Sequence, residues 1–152
     1  MRISTTTHYA SRLLVELALH SQEKPISASK LAAKTGIPLK FLEKIVRNLK
    51  SAGLVKSVRG AFGGHYLGCR PDDITLGALV RLMEGGIRLA QCAPGEERCA
   101  TCHGCRAQTV WHSITQSLER ELDSVTLADM LEGYPPECWQ RPEYAHKQIP
   151  HS

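Results

Sequence analysis

Between Ser27 and Leu67 the chain carries two short amphipathic helical patterns, each followed by a glycine, then two strand-like runs around a glycine-rich turn. Few compact structures accept that order. Ser27 is suited to cap a helix over Ala28 to Lys34, with Leu31 and Ala32 facing inward, and Gly36 suits a left-handed stop. Pro38 fits the first turn of a further helix running to about Ala52, closed by Gly53. Helix, short glycine-containing break and helix form the helix-turn-helix outline.

The second of these helices has two faces. Leu42, Ile45, Val46 and Leu49 form an apolar stripe, while Lys40, Glu43, Lys44 and Arg47 repeat the same spacing on another side. One face is built to pack, and the other offers cations and a hydrogen-bonding carboxylate to a groove. Leu54 to Val58 and His65 to Leu67 then read as two short strands, with Gly60-Ala61-Phe62-Gly63-Gly64 permitting a tight hairpin between them. Arg59 stands at the entry to the tip. A basic hairpin after a helix-turn-helix is the winged-helix plan, whose wing lies along a phosphate backbone or pushes its arginine into a minor groove. The DNA-facing set read here is Ser27, Lys40, Glu43, Lys44, Arg47, Arg59, Gly60 and His65.

Helical patterns also flank this unit. Ala10, Leu13, Leu14, Leu17 and Ala18 mark a buried stripe over about Thr5 to His20. Thr75 is placed to cap a helix over Leu76 to Glu84, stopped by Gly85-Gly86. From about Arg106 to Asp123, Ala107, Trp111, Ile114, Leu118 and Leu122 recur three or four apart, a stripe suited to packing against another helix. A second copy of the chain is the favoured partner, because helix-turn-helix proteins commonly read paired half-sites as dimers. Thr126 and Asp129 resemble a capping pair for one last short helix to Leu131. Beyond Tyr134, four prolines and no periodicity imply a mostly unstructured tail.

Charge divides the chain. Residues 1–68 hold 11 Lys/Arg and 3 Asp/Glu, whereas residues 69–152 hold 8 and 12. A basic first half with an acidic remainder suggests a nucleic-acid module joined to a part with another task. No apolar run approaches the roughly 18 residues of a membrane span, and the opening residues show no signal-peptide core, so a cytoplasmic protein is expected.

Four of the six cysteines, Cys92, Cys99, Cys102 and Cys105, fall in the segment between the helices, which lacks periodicity and reads as a loop. A reducing compartment disfavours disulfides and points such a cluster toward metal or redox chemistry. Structural zinc favours two C-x2-C knuckles separated by a longer span. Here three cysteines recur at one short interval, closer to the thiolate runs that hold iron–sulfur clusters. Zinc and redox-active thiols stay open on spacing alone. His103 sits inside the cluster, and Cys69 and Cys138 lie outside it. No Ser/His/Asp set, carboxylate pair or phosphate loop is evident, so the chain is not expected to be an enzyme.

Several stretches together resemble one family. These are Met1-Arg2-Ile3-Ser4-Thr5 with Tyr9-Ala10; Pro38 to Glu43; Ala52-Gly53-Leu54-Val55; Ser57 to Leu67; Ile74-Thr75-Leu76-Gly77; and Glu84-Gly85. They are similar to the Rrf-two family of bacterial winged-helix regulators (IscR- and NsrR-like), over about residues 1–125. The resemblance implies a homodimeric transcription factor, usually a repressor, on a palindromic double-stranded operator. It also implies an iron–sulfur cluster, 2Fe-2S or 4Fe-4S, held before the dimer helix by three cysteines, and Cys92, Cys99 and Cys105 stand where those belong. The family's fourth ligand varies. One of its positions is Gln108 here and another is His8, reaching across from the partner subunit, while Cys102 is an extra thiol that spacing favours.

The expected fold is therefore mostly α: a winged helix-turn-helix over 1–84, a cysteine-rich loop over 85–105, a dimerisation helix and short cap helix over 106–133, and a flexible tail over 134–152. The expected function is DNA binding governed by the cluster in response to redox state, iron or nitric oxide. The rivals are a zinc-stabilised DNA-binding protein without a sensing role and a thiol oxidoreductase.

Overall fold

The computed structural model describes residues 3–20, 24–90 and 105–132. Within them run helices α1 (Thr5–Leu19), α2 (Ala28–Thr35) and α3 (Leu39–Ser51), strands β1 (Val55–Val58) and β2 (Gly64–Leu67), and helices α4 (Leu76–Glu84), α5 (Arg106–Ser124) and α6 (Leu127–Glu132). The architecture is mostly helical with one two-stranded antiparallel hairpin.

The helix starts follow capping chemistry. Ser4 Oγ accepts from Thr7 N, Ser27 Oγ from Lys30 N and Thr75 Oγ1 from Ala78 N, each satisfying a first-turn N–H that has no partner inside its helix. The third helix starts one residue later than the sequence pattern suggests. Pro38 is its N-cap, in extended conformation, and carries no capping side chain. Gly36 ends α2 at φ 69°, which a side-chain-bearing residue rarely adopts, and so sets the turn into α3.

The apolar faces of these helices converge. Leu13, Leu14 and Leu17 of α1, Leu31 of α2, Leu42, Ile45 and Leu49 of α3, Val55 of β1 and Leu79 of α4 share one core. Burying each leucine contributes about 1.5–3 kcal/mol. Tyr9 and Phe41 meet edge to face at 5.6 Å and join α1 to α3 at its margin. Leu127 of α6 belongs to the same core, so the chain returns to the first unit after α5.

That return is made by backbone. Leu76 N donates to Val125 O and Leu127 N to Ile74 O, both at 2.8 Å, around the Thr75–Thr126 bridge. Thr126 and Asp129 cap α6 reciprocally, with Thr126 N donating to Asp129 Oδ2 at 2.7 Å and Asp129 N to Thr126 Oγ1 at 3.1 Å. One turn back, Arg81 of α4 holds the Asp123 carboxylate through two hydrogen bonds of 2.6 and 3.1 Å. Gly77 lies beneath that carboxylate with no side chain of its own, which lets α5 come close to α4. Glu84, at the far end of α4, accepts from Ser4 N (3.0 Å), Ser4 Oγ (2.6 Å) and Thr7 Oγ1. Those bonds hold its carboxyl below the usual range, against a small opposing effect of burial.

The hairpin pairs Val55 with Leu67, Lys56 with Tyr66, Ser57 with His65 and Val58 with Gly64. Ile26, just before α2, adds a single-residue bridge to His65, with hydrogen bonds of 2.8 and 3.0 Å. The wing is thereby fastened to the segment entering α2. No described helix is long and apolar enough to cross a membrane. The expected tail at 134–152 lies outside the described residues.

Candidate nucleic-acid interface and the cysteine segment

Leu42, Ile45, Val46 and Leu49 turn one side of α3 into the core. The opposite side therefore faces out, and Lys40, Glu43, Lys44, Arg47 and Lys50 are all exposed on it. Lys50 was not among the residues singled out from the sequence. Its spacing from Glu43 and Arg47, seven and three residues, was the signal available for it.

Beside the C-terminal half of α3 lies an open cleft of about 320 Å³, lined by Ala28, Glu43, Val46, Arg47, Lys50 and His65. The structure thus brings Glu43, Arg47 and His65 of the expected set to one place. His65 differs from a plain wing-surface residue: it is half-buried and lines the cleft toward α3. Its Nδ1 shares a 2.8 Å hydrogen bond with Ser57 Oγ on the paired strand. Burial lowers the pKa of this imidazole, the Lys50 ammonium lowers it further, and the Glu43 carboxylate opposes both.

At the wing tip Gly63 N donates to Gly60 O at 2.9 Å, closing a four-residue turn. A Cβ at Gly63 would run into Val58 O, so only glycine fits where the two strands diverge. Arg59 and Gly60 are exposed on this loop, and Phe62 at its apex is 95% exposed. Ser27 is placed differently, since its hydroxyl serves the α2 cap.

The cysteine segment is only partly described. Cys105 is the N-cap of α5 and half-buried, whereas Cys92, Cys99, Cys102 and His103 lie outside the described residues. Among the described residues no group of three or more His, Cys, Asp or Glu side chains is arranged to hold a metal. His8 is exposed on α1, beside the Tyr9 ring. Cys69 is half-buried at the end of the wing, where burial and then Asp73 push its thiol pKa up against Lys56. Cys138 lies outside the described residues.

No residue of α5 is buried. Val110, Trp111 and Ile114 present a large apolar face near its N-terminal half. Such a face on a helix otherwise tied down at its C-terminal end marks an interaction surface.

Comparison with known proteins places this geometry. The family pattern described as Rrf2, iron-dependent transcriptional regulator, matches residues 3–133. The chain is 33% identical over 131 residues to the protein rrf2 of Nitratidesulfovibrio vulgaris, covering 86% of this chain and 87% of that one. Among solved structures it superposes on the IscR of T. potens with a TM-score of 0.69 at 36% identity, covering 87% of each chain. It also superposes on CymR, the global cysteine regulator of B. subtilis, with a TM-score of 0.73 at 35% identity, covering 89% of this chain and 99% of that one.

Proposed function

The chain belongs to the Rrf2 family of transcriptional regulators, and on that footing we propose that it acts as a homodimeric repressor on a palindromic operator. The observation that carries the reading is the outward face of α3, where Lys40, Glu43, Lys44 and Arg47 are all exposed and where His65 of the wing lines the cleft with Glu43 and Arg47. Two copies of α3 enter successive major grooves about 34 Å apart. Lys40, Lys44 and Arg47 contact phosphates or guanine edges, and Glu43 accepts from a cytosine amino group or repels other bases. Arg59 and Gly60 follow the backbone into the minor groove. Ser27, at the start of α2, meets a phosphate across the groove. The two α5 helices join through Val110, Trp111 and Ile114, which gives their exposed apolar face a partner. The protein works in the cytoplasm, with the chromosome.

The donor set suits an iron–sulfur cluster. Four thiols, at Cys92, Cys99, Cys102 and Cys105, are soft ligands of the kind iron–sulfur centres take. Cys92, Cys99 and Cys105 hold the cluster, with Cys102 or His8 of the partner subunit as the fourth ligand. When bound, the cluster supplies a centre whose integrity depends on iron, oxidants or nitric oxide. Cys105 begins α5, so its ligation state and the position of the dimer helix are covalently tied. A hundredfold change in DNA affinity needs about 2.7 kcal/mol of coupling between the two.

The test is anaerobic purification followed by iron and sulfide analysis and binding to a random-sequence duplex pool. Expected are a coloured protein with iron and sulfide, enrichment of a palindrome, and altered affinity once the metal is stripped from a still-folded chain. One zinc per chain and global unfolding on chelation would make the metal structural instead. Unchanged duplex affinity after stripping would abolish the sensing role.

A further inference from the structure

We propose that the cleft between the start of α2, the C-terminal half of α3 and β2 seats one backbone phosphate of the bound duplex against Arg47 and Lys50, and that His65 takes up a proton as the phosphate enters. The inference rests on the DNA-binding reading above and adds to it a proton-linked site.

The lining selects the ligand. Ala28 and Val46 supply aliphatic walls, which offer nothing to the hydrogen-bonding edge of a base. Arg47 and Lys50, one turn apart on α3, supply two cations, and Glu43 supplies one opposing carboxylate. The net charge of the seat is thus a single positive charge. That is weak for a free anion but sufficient for a phosphate already held nearby by the rest of the interface.

His65 is the titrating member. Its Nδ1 is taken by Ser57 Oγ, which leaves Nε2 for a ligand in the cleft. The charged groups acting on it both come from α3: Lys50 disfavours a proton and Glu43 favours one, while Arg47 lines the same cleft. From α2 the lining residue is Ala28, and from β1 the neighbour is Ser57, neither of them charged. In the free protein burial and Lys50 hold the ring neutral near pH 7. A phosphate in the cleft reverses the local sign. The neutral ring that donates Nδ1–H to Ser57 Oγ has a bare Nε2; a proton from solvent binds it, and the new N–H donates to a phosphate oxygen while the Nδ1–H bond to Ser57 Oγ is kept.

The experiment is calorimetric titration of the full-length dimer with a duplex it has enriched from a random-sequence pool, in two buffers of different ionisation enthalpy. Expected for the wild type is net proton uptake at pH 7, with affinity falling by up to about tenfold per pH unit per subunit as pH rises. His65→Gln should still bind but lose the uptake and the pH dependence. Lys50→Gln should weaken binding and reduce the salt slope by about one per subunit. The ring-proton titration of wild-type His65 gives the answer without substitution: its midpoint must rise when duplex is added. Duplex binding with no uptake, uptake unchanged in His65→Gln, or a midpoint raised by inorganic phosphate but not by duplex would each overturn this inference alone. If the wild type bound no duplex, the regulator reading would fall as well.

Discussion

A single methyl group at position 77 tests how α5 is joined to the rest of the molecule. Gly77 lies in the first turn of α4, where exchanging glycine for alanine would ordinarily stabilise a helix by up to about 1 kcal/mol. Here the added Cβ would overlap Asp123 Oδ1 and stand 2.9 Å from Asp123 Cγ and 3.1 Å from its backbone nitrogen. Overpacking of this kind costs about 1–3 kcal/mol. The displaced carboxylate would also leave Arg81, a pair that is nearly half exposed on both sides and therefore worth at most about 1 kcal/mol. The unfavourable effects win, and Gly77→Ala should destabilise by about 1–2 kcal/mol in urea unfolding. Asp123→Ala should cost about 1 kcal/mol, since it removes the exposed pair with Arg81 and a hydrogen bond with Thr75. The double variant should recover most of the loss, because only the 3.1 Å backbone contact remains. If Gly77→Ala were as stable as wild type, or equally destabilising in both backgrounds, the close approach of α5 to α4 would not be what requires glycine.

Other measurements bear on separate parts of the molecule. Glu84 is more acidic in the folded state, so its bonds to Ser4 and Thr7 stabilise the fold above the ordinary carboxylate range and are lost as pH falls through its lowered pKa. The melting temperatures of wild type and Glu84→Gln should differ at neutral pH and converge in acid; a constant gap would refute the assignment. Arg59→Ala should weaken duplex binding by about 1–3 kcal/mol if the arginine reads the minor groove, and an unchanged dissociation constant would remove the wing from the interface. If α5 forms the proposed dimer contact, Trp111→Glu or Ile114→Glu should give monomers in sedimentation velocity without lowering the helix content of the core, because neither side chain is buried within one chain. Cys102→Ala should bleach the visible absorption of the anaerobic protein if that thiol is a ligand; a retained spectrum would favour His8 of the partner subunit.

Local chemistry was easy to read in the chain, and pairing across the chain was not. Ser27, Thr75 and the Thr126–Asp129 pair act over three residues, so the helices they start fall within a residue or two of their expected bounds. Pro38 shows the limit of such signals: the same residue suits a cap or a first turn, and here it is the cap. The Ile26–His65 bridge had no signature, because one residue between Pro25 and Ser27 makes no alternating pattern. Its effect is large for the site, since it helps fix the strand that carries His65 into the cleft. Gly77 was noted only as part of a motif, and its reason appears once Asp123 is seen above it. The cysteine spacing was legible as chemistry, but a loop without periodicity gives no geometry from which to choose a fourth ligand.

The stitching of Val125 and Leu127 onto Ile74 and Leu76 makes α5 a cantilever, clamped at its last turn and reaching outward from the body. Nineteen residues of helix give an arm about 28 Å long. Tilting the clamp by about 10° would swing the Cys105 end through about 5 Å, while a comparable push at that tip would be felt at the root as little more than a change of angle. A displacement of several ångströms at the Cys105 end thus reaches the body as a rotation of a few degrees, without any element having to unfold.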